Sequence, residues 1–258
     1  GKNSFYKSGA SKIRNLIKKK KIKVVFKKSY IPTSTELKSL FSKIKLFSPD
    51  VVLAIGGGCV LDYSKILNNI DKIRNIENRI LDNKFIFKKR NFYLVCVPTT
   101  AGSGAEVTPS AVLYINKKKT SLENKLIAPN KFFLIPELVI KSPKKLKSSS
   151  GFDAISQAIE SIFSIKSTPL SIKYASNSLK ISLENYLNFI NSPNYLNSSK
   201  MLNASNLAGK AISIAKTIAP HAVSYPFTSY FNISHGHAVS LTLNDFLKFN
   251  YKNLNYAK

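Results

Sequence analysis

Cysteine is scarce in this chain: Cys59 and Cys96 are the only two, and they lie in unrelated contexts. That argues against a disulfide framework and against a Cys-x-x-Cys metal or redox site, and it makes a reducing, cytoplasmic location the expectation. Long apolar runs are missing as well. No stretch of eighteen apolar residues occurs, so no membrane span is expected. Residues 1–21 are polar and basic and have no apolar core of the kind a signal peptide needs. Acidic residues are few, 13 against 40 lysines and arginines, and the formal net charge is +27. Such a balance invites a nucleic-acid reading. However, no zinc-finger spacing, homeodomain-like helix or RNP aromatic pair accompanies it. The lysines come with many Asn, Ile, Ser and Tyr, as a bias of the whole sequence. The densest run, Lys18 to Lys21, falls at the polar end of an expected helix. Nucleic acid is therefore not expected as the main partner, whereas attraction of small anionic substrates is.

Histidine is the most informative scarcity. All three, His221, His235 and His237, fall within seventeen residues. Histidine is the commonest metal ligand and the usual proton carrier near neutral pH. Upstream, in Gly151-Phe-Asp153-Ala-Ile-Ser-Gln157-Ala-Ile-Glu160, Asp153 and Gln157 stand four apart and so share one face of a helix. Two oxygen-bearing side chains plus two imidazoles from another segment make a donor set for a small divalent ion.

What the sequence has in quantity is ordinary globular material: 258 residues, 44% of them hydrophobic. The first half alternates strand and helix patterns. Residues 8–20 read as a helix, Lys23–Phe26 as a short buried strand, and Thr33 with Glu36 as a capping box opening a helix. Val51–Ile55 is an apolar strand that runs into Gly56-Gly57-Gly58 and then a helix carrying Asp62 and Lys65. Strand, glycine turn and helix N-terminus make a phosphate cradle, because no side chain obstructs an anion and the free amides face it. The alternative is a tight turn that needs left-handed glycines. Asn91–Val97 is the next strand and delivers Thr99-Thr100-Ala-Gly102-Ser103-Gly104, small hydroxyl and glycine residues suited to a diphosphate or ribose. Ala111–Ile115 and Phe132–Ile135 read as further strands, with Lys117-Lys-Lys119 between them. From about residue 148 helices take over, at 152–163, 169–190 and 198–216, with shorter pieces to 250. A boundary is expected at a small-residue linker, Ser148–Ser150, dividing residues 1–148 from 149–258.

These stretches, taken together, resemble the iron-containing (group III) alcohol dehydrogenases, relatives of glycerol dehydrogenase and dehydroquinate synthase. The resemblance rests on Gly56-Gly-Gly58-x-x-x-Asp62-x-x-Lys65, Pro98 to Thr108, Pro136-Glu-Leu138, Gly151-Phe-Asp153-Ala154 and His221…His235-Gly236. They stand in the family's order and cover nearly the whole chain. The resemblance implies an α/β, Rossmann-like N-terminal domain followed by an all-α metal-binding domain, with the active site in the cleft between them. It implies a divalent metal, Fe2+ or Zn2+, held by Asp153, position 157, His221 and His235. It also implies NADP(H) or NAD(H) against Gly56, Gly57, Gly58, Asp62, Thr99, Thr100 and Ser103, with Lys119 in the same set. A homodimer is expected.

Several residues depart from the family pattern. Gln157 stands where the family has His, and an amide oxygen is the weaker ligand for first-row metals. Tyr225 stands where many members carry another active-site His, and Cys59 replaces the usual Ser. Lys27, followed by Lys28, occupies the place of the acid that takes the ribose hydroxyls in NAD-preferring members, so a 2′-phosphate is attracted rather than repelled. The chain is also shorter at its C-terminal end than the family, and a fragment or a reduced member is expected. The implied chemistry is hydride transfer between a nicotinamide and a small aldehyde or primary alcohol. Within the family the chain resembles the phosphonoacetaldehyde reductase-like subgroup, and this suggests Lys216 as the cation meeting an anionic substrate. Tyr225 or His237 is the expected proton relay. Beside this stand a dehydroquinate synthase-like lyase, an inactive metal-poor relative and, least favoured, a basic nucleic-acid-binding protein.

Overall fold

Residues 1–17, 20–82, 84, 85, 87 and 90–253 are described by the computed structural model. In chain order the elements are α1 (Lys2–Lys7), a 3₁₀ turn (Ala10–Lys12), α2 (Ile13–Leu16), α3 (Ser34–Phe47), β1 (Val51–Gly56), α4 (Gly58–Leu67) and α5 (Ile76–Leu81). Then follow β2 (Tyr93–Pro98), β3 (Ser110–Ile115), β4 (Lys118–Glu123), a 3₁₀ turn (Lys125–Ile127), β5 (Lys131–Phe132) and α6 (Glu137–Ile140). Five longer helices complete the chain: α7 (Lys144–Phe163), α8 (Pro169–Asn191), α9 (Tyr195–Ala215), α10 (Ala219–Phe231) and α11 (His235–Asn253).

The N-terminal half is Rossmann-like. β1, β2 and β5 form a parallel sheet in that order, with Val51 opposite Tyr93 and Val95 opposite Lys131. β2 is apolar nearly throughout and buried, as a central parallel strand must be. Leu37 of α3, Leu61 and Ile66 of α4 and Leu94 of β2 are fully buried in the main core. Truncating any of them to Ala should cost about 2–5 kcal/mol.

Three local expectations are corrected, and one strand is added. The helix over 8–20 is broken, because Gly9 takes φ +86° and divides α1 from the 3₁₀ turn and α2; Lys18 and Lys19 lie outside the described residues. Lys23–Phe26 joins no ladder: Val25 packs against the core and Phe26 meets Phe5 edge-on at 5.5 Å, so side chains rather than strand pairing hold it. Thr33 does cap α3, accepting from the Glu36 amide, but Glu36 does not return the bond. Its carboxylate takes the amides of Lys28 and Ser29, and the Thr33 amide donates instead to the Tyr63 hydroxyl at 2.6 Å. Lys118–Glu123 forms a strand that its polar sequence does not announce; it pairs with β3 through Asn116 and Lys117, both at positive φ as a two-residue hairpin turn requires.

The second half is helical. Ser148–Ser150 are no linker: α7 begins at Lys144 and runs straight through them. Serine usually favours caps and turns over helix interiors, but these find partners within reach. Ser150 Oγ donates back to the Lys147 carbonyl and the Tyr186 hydroxyl donates to the Ser148 carbonyl. Consequently α7 passes the loop after β2, where Gly102 meets Ser150, and packs among α8, α9 and α11, carrying Asp153 on one continuous helix. Of the expected strand Phe132–Ile135 only Phe132 joins the sheet, as the second residue of β5.

Candidate metal centre and nucleotide cradle

Three helices deliver the expected ligands. Asp153 comes from α7, His221 from the first turn of α10 and His235 from the first residue of α11. Their ligand atoms all lie within 4.8 Å of one another. His221 Nε2 stands 3.2 Å from Asp153 Oδ1, and His235 Nε2 stands 4.0 Å from the same oxygen. Ligands about 2.0–2.2 Å from one ion sit roughly 3–4 Å from each other, so the spacing suits a first-row cation. Gln157 lies one turn beyond Asp153 and is buried, and its Oε1 has no hydrogen-bond partner. A buried carbonyl without a donor is costly, and the position of Gln157 one turn from Asp153 puts it on the side of α7 that carries that ligand. The donor set therefore fits a divalent metal.

Glu160 is the residue that the sequence reading quoted without giving it a role. Its Oε1 meets His221 Nδ1, and its Oε2 accepts from the Ile218 amide at 2.7 Å and, more weakly, the His221 amide at 3.4 Å. One carboxylate thus fixes the imidazole and the N-terminus of the helix that carries it, leaving Nε2 for the ion. The only available signal was its helical register, seven after Asp153 on the same face.

Charge balance at the centre follows from burial and pairing. Burial alone would lower the pKa of His221, but its hydrogen bonds to Asp153 and Glu160 and their charges hold it up at about 9. His235 goes the other way, down to about 3, through burial and the positive charge of Lys119. Burial pushes Asp153 up, and the hydrogen bond from His221 with the charges of His235, His221 and Lys119 outweighs it, so its carboxyl lies below the ordinary value.

Opposite the centre is the glycine turn. None of Gly56, Gly57 and Gly58 has positive φ, so the left-handed explanation fails. What they provide is space. A Cβ on Gly56 would strike the Val60 side chain at 2.5 Å, one on Gly57 would sit 3.3 Å from Thr100 Oγ1, and one on Gly58 would sit 3.0 Å from Ser103 Oγ. The turn and the Thr99–Gly104 loop therefore face each other closely, with α4 amides at the base. Thr99 itself is tied back, its amide donating to the Gly56 carbonyl at 3.0 Å. Burial pushes Asp62 up to about 6, opposed by Lys65. Burial lowers Lys119 to about 8, opposed by Asp153, Asp62 and Glu160. Its ammonium lies 3.5 Å over the Tyr225 ring, and its charge is felt by carboxylates of both the cradle helix and the metal centre.

The remaining expected residues separate. Tyr225 is beside the centre, its ring 6.0 Å from that of His235, and burial with the Glu160 charge raises its phenol. Lys27 donates to the Ser29 carbonyl, and its charge reaches Cys59 at the start of α4. Lys216 pairs with Glu123 of β4, so its charge is already met. His237 is exposed: two positions past His235 a helix has turned about 200°, which carries it away from the ligands.

The sequence pattern of the iron-containing alcohol dehydrogenases matches residues 1–143, and that of the C-terminal part of the Fe-containing alcohol dehydrogenase family matches residues 147–257. The chain belongs to the iron-containing alcohol dehydrogenase family. A phosphonoacetaldehyde reductase of Streptomyces viridochromogenes is 30% identical over 234 residues, 85% of this chain and 58% of that protein. The chain thus spans somewhat more than half the length of that relative. Among solved structures, sulfoacetaldehyde reductase from Bifidobacterium kashiwanohense in complex with NAD+ superposes with a TM-score of 0.85 at 30% identity, over 95% of this chain and 67% of that one. Iron-containing alcohol dehydrogenase from Thermotoga maritima gives 0.86 at 29% identity, over 96% and 69%. Among the described residues, no helix is long and apolar enough to cross a membrane.

Proposed function

We propose that this member of the family is an oxidoreductase that interconverts a small aldehyde and the primary alcohol, using NADP(H) or NAD(H) and one divalent ion. The observation that carries the reading is the convergence of Asp153, His221 and His235, with the buried Gln157 one turn from Asp153 and the glycine cradle facing Thr100 and Ser103. When bound, the ion and the nicotinamide supply carbonyl polarisation and a hydride respectively. The chain's own residues do the rest. Asp153, Gln157, His221 and His235 would hold the ion, Glu160 keeps the His221 ring oriented, and Gly57, Gly58, Thr100 and Ser103 would seat the diphosphate. Tyr225, an intact phenol at neutral pH whose ring lies 6.0 Å from that of His235, would hold the proton that the product oxygen requires. The relatives named above are reductases and alcohol dehydrogenases by name, which favours hydride transfer over the lyase alternative.

The finer reading is an aldehyde bearing an acidic group. Two relatives act on phosphono- and sulfoacetaldehyde by name, and Lys119 places a half-buried cation beside the centre. Lys27 in place of an acid supports NADPH over NADH. A homodimer and a division into two domains at the start of α7 belong to the same proposal. The deciding experiment is metal analysis of the purified protein with NADPH and NADH oxidation screens over phosphonoacetaldehyde, sulfoacetaldehyde and propionaldehyde. Turnover that is abolished by chelator and restored by Fe2+ or Zn2+ supports the proposal; metal-free protein without turnover on any aldehyde rejects it.

A further inference from the structure

Glu106 is a buried carboxylate that the chemistry above leaves unused. It follows the hydroxyl loop of the cradle, is 3% exposed, and accepts a 3.0 Å hydrogen bond from Asn206 Nδ2 of α9, itself 3% exposed. The bond therefore crosses from the loop to the helical half. Two main-chain contacts flank it. Gly104, at φ +58°, lies so close to Gly209 of α9 that a Cβ on either would reach the other's backbone, the Gly209 one coming 2.7 Å from the Gly104 carbonyl oxygen. Gly102 lies against α7, where a Cβ would come 2.6 Å from the carbonyl oxygen of Ser150, three residues before Asp153. On the other side Lys65 of α4, fully buried, donates to Thr108 Oγ1 and the Ser110 carbonyl, both at 2.9 Å. The loop is thus clasped between the helix of the glycine cradle and the helix of the metal centre.

The geometry points to Glu106 and Asn206 as a positioning pair, which sets the 99–108 loop, and with it the dinucleotide that the loop would seat, relative to the metal centre. This rests on the dehydrogenase reading. Ala101 of the loop packs with Phe189, Met201 and Leu202, a contact without directional preference, and the buried hydrogen bond is the directional polar element at this junction. Both side chains are buried and bonded to each other, so removing one should change the geometry of the reacting groups without removing a proposed binding group.

The test uses the full chain with its metal and compares Asn206→Ala and Glu106→Gln, the latter keeping an oxygen acceptor. Asn206→Ala should lower kcat roughly ten- to a hundredfold. The primary deuterium isotope effect with 4-deuterated nicotinamide should rise, because hydride transfer becomes the slow step, while the aldehyde KM and the metal affinity against a chelator stay near wild type. Glu106→Gln should recover most of that loss. Amide exchange in residues 99–108 should quicken in Asn206→Ala, whether or not turnover is measurable. Unchanged kcat and isotope effect, or metal loss that parallels the activity loss, overturns the inference. If the wild type turns over no aldehyde, the dehydrogenase reading fails instead, and the exchange rates alone decide whether the joint exists: unaltered exchange in Asn206→Ala rejects it.

Discussion

Gly236→Ala is the sharpest perturbation that the metal centre offers, because the glycine lies next to one ligand and against the helix carrying another. A Cβ built on Gly236 would stand 2.8 Å from the carbonyl carbon of Ser149 and 3.0 Å from the Cβ of Asp153, and nearer still to the Ser149 oxygen. Non-bonded carbons rest about 3.5–4.0 Å apart, so the start of α11 has to withdraw from α7 by roughly 0.5–1 Å. His235 travels with α11 while Asp153 stays on α7. Metal sites hold their distances to about ±0.2 Å, so the displacement is several times what coordination tolerates. The expected result is a fall in metal affinity of roughly a hundredfold, about 2.7 kcal/mol. Competition against a chromophoric chelator reads it directly, and thermal unfolding in excess chelator reports separately on the fold. His237→Ala, an exposed change on the same helix, is the control and should leave the affinity unaltered. A Gly236→Ala protein that holds metal as tightly as wild type would refute the geometric reasoning.

Glu160→Gln should weaken metal binding about 10- to 100-fold with little effect on cofactor binding, since it loosens only the His221 ring and its helix start; equal losses for metal and dinucleotide in titrations would mark Glu160 as a general structural residue. Metal affinity should climb as pH rises towards about 9 and level off above it, because the raised His221 pKa means that a proton must leave before Nε2 can coordinate; affinity that is flat from pH 6 to 9 counts against that protonation. Lys216→Ala should change kcat/KM equally for phosphonoacetaldehyde and propionaldehyde, since Glu123 already meets the charge. A loss confined to the phosphonate would return Lys216 to the substrate site.

Much of this site was legible because its chemistry is concentrated in rare residues. Three histidines in one short span and an acid at helical spacing from Gln157 pointed to the cluster of Asp153, His221 and His235, and the glycine triplet after an apolar strand pointed to the turn that faces Thr100 and Ser103. The misreadings share a cause. Lys118–Glu123 lacks the apolar alternation that marks a strand, and only its pairing with β3 reveals it. Ser148–Ser150 looked like a linker because serine is a poor helix interior residue, a local preference that their position in the long α7 overrides. His237 drew attention through its residue type, whereas its direction depends on the phase of α11, which the helix start at His235 sets.

Glu160 and Glu106 show a different limit. Each acts through a partner that is distant in sequence, His221 sixty-one residues away and Asn206 one hundred. No local pattern encodes such a pairing; it exists only once α7, α9 and α10 have packed. The two carboxylates also divide the work of one cleft. Glu160 holds a ligand ring and its helix on the metal side, while Glu106 ties the hydroxyl loop to the same helical layer. If the metal ligand at position 157 is the weaker amide, the centre depends more on the orientation of its remaining ligands, and thus on Glu160. The consequence is measurable: Gln157→His should not only tighten metal binding but also reduce the penalty of Glu160→Gln, so that the double variant loses less affinity than the two single changes predict. Strict additivity would mean that Gln157 stands outside the coordination sphere and that the orphaned carbonyl has another partner.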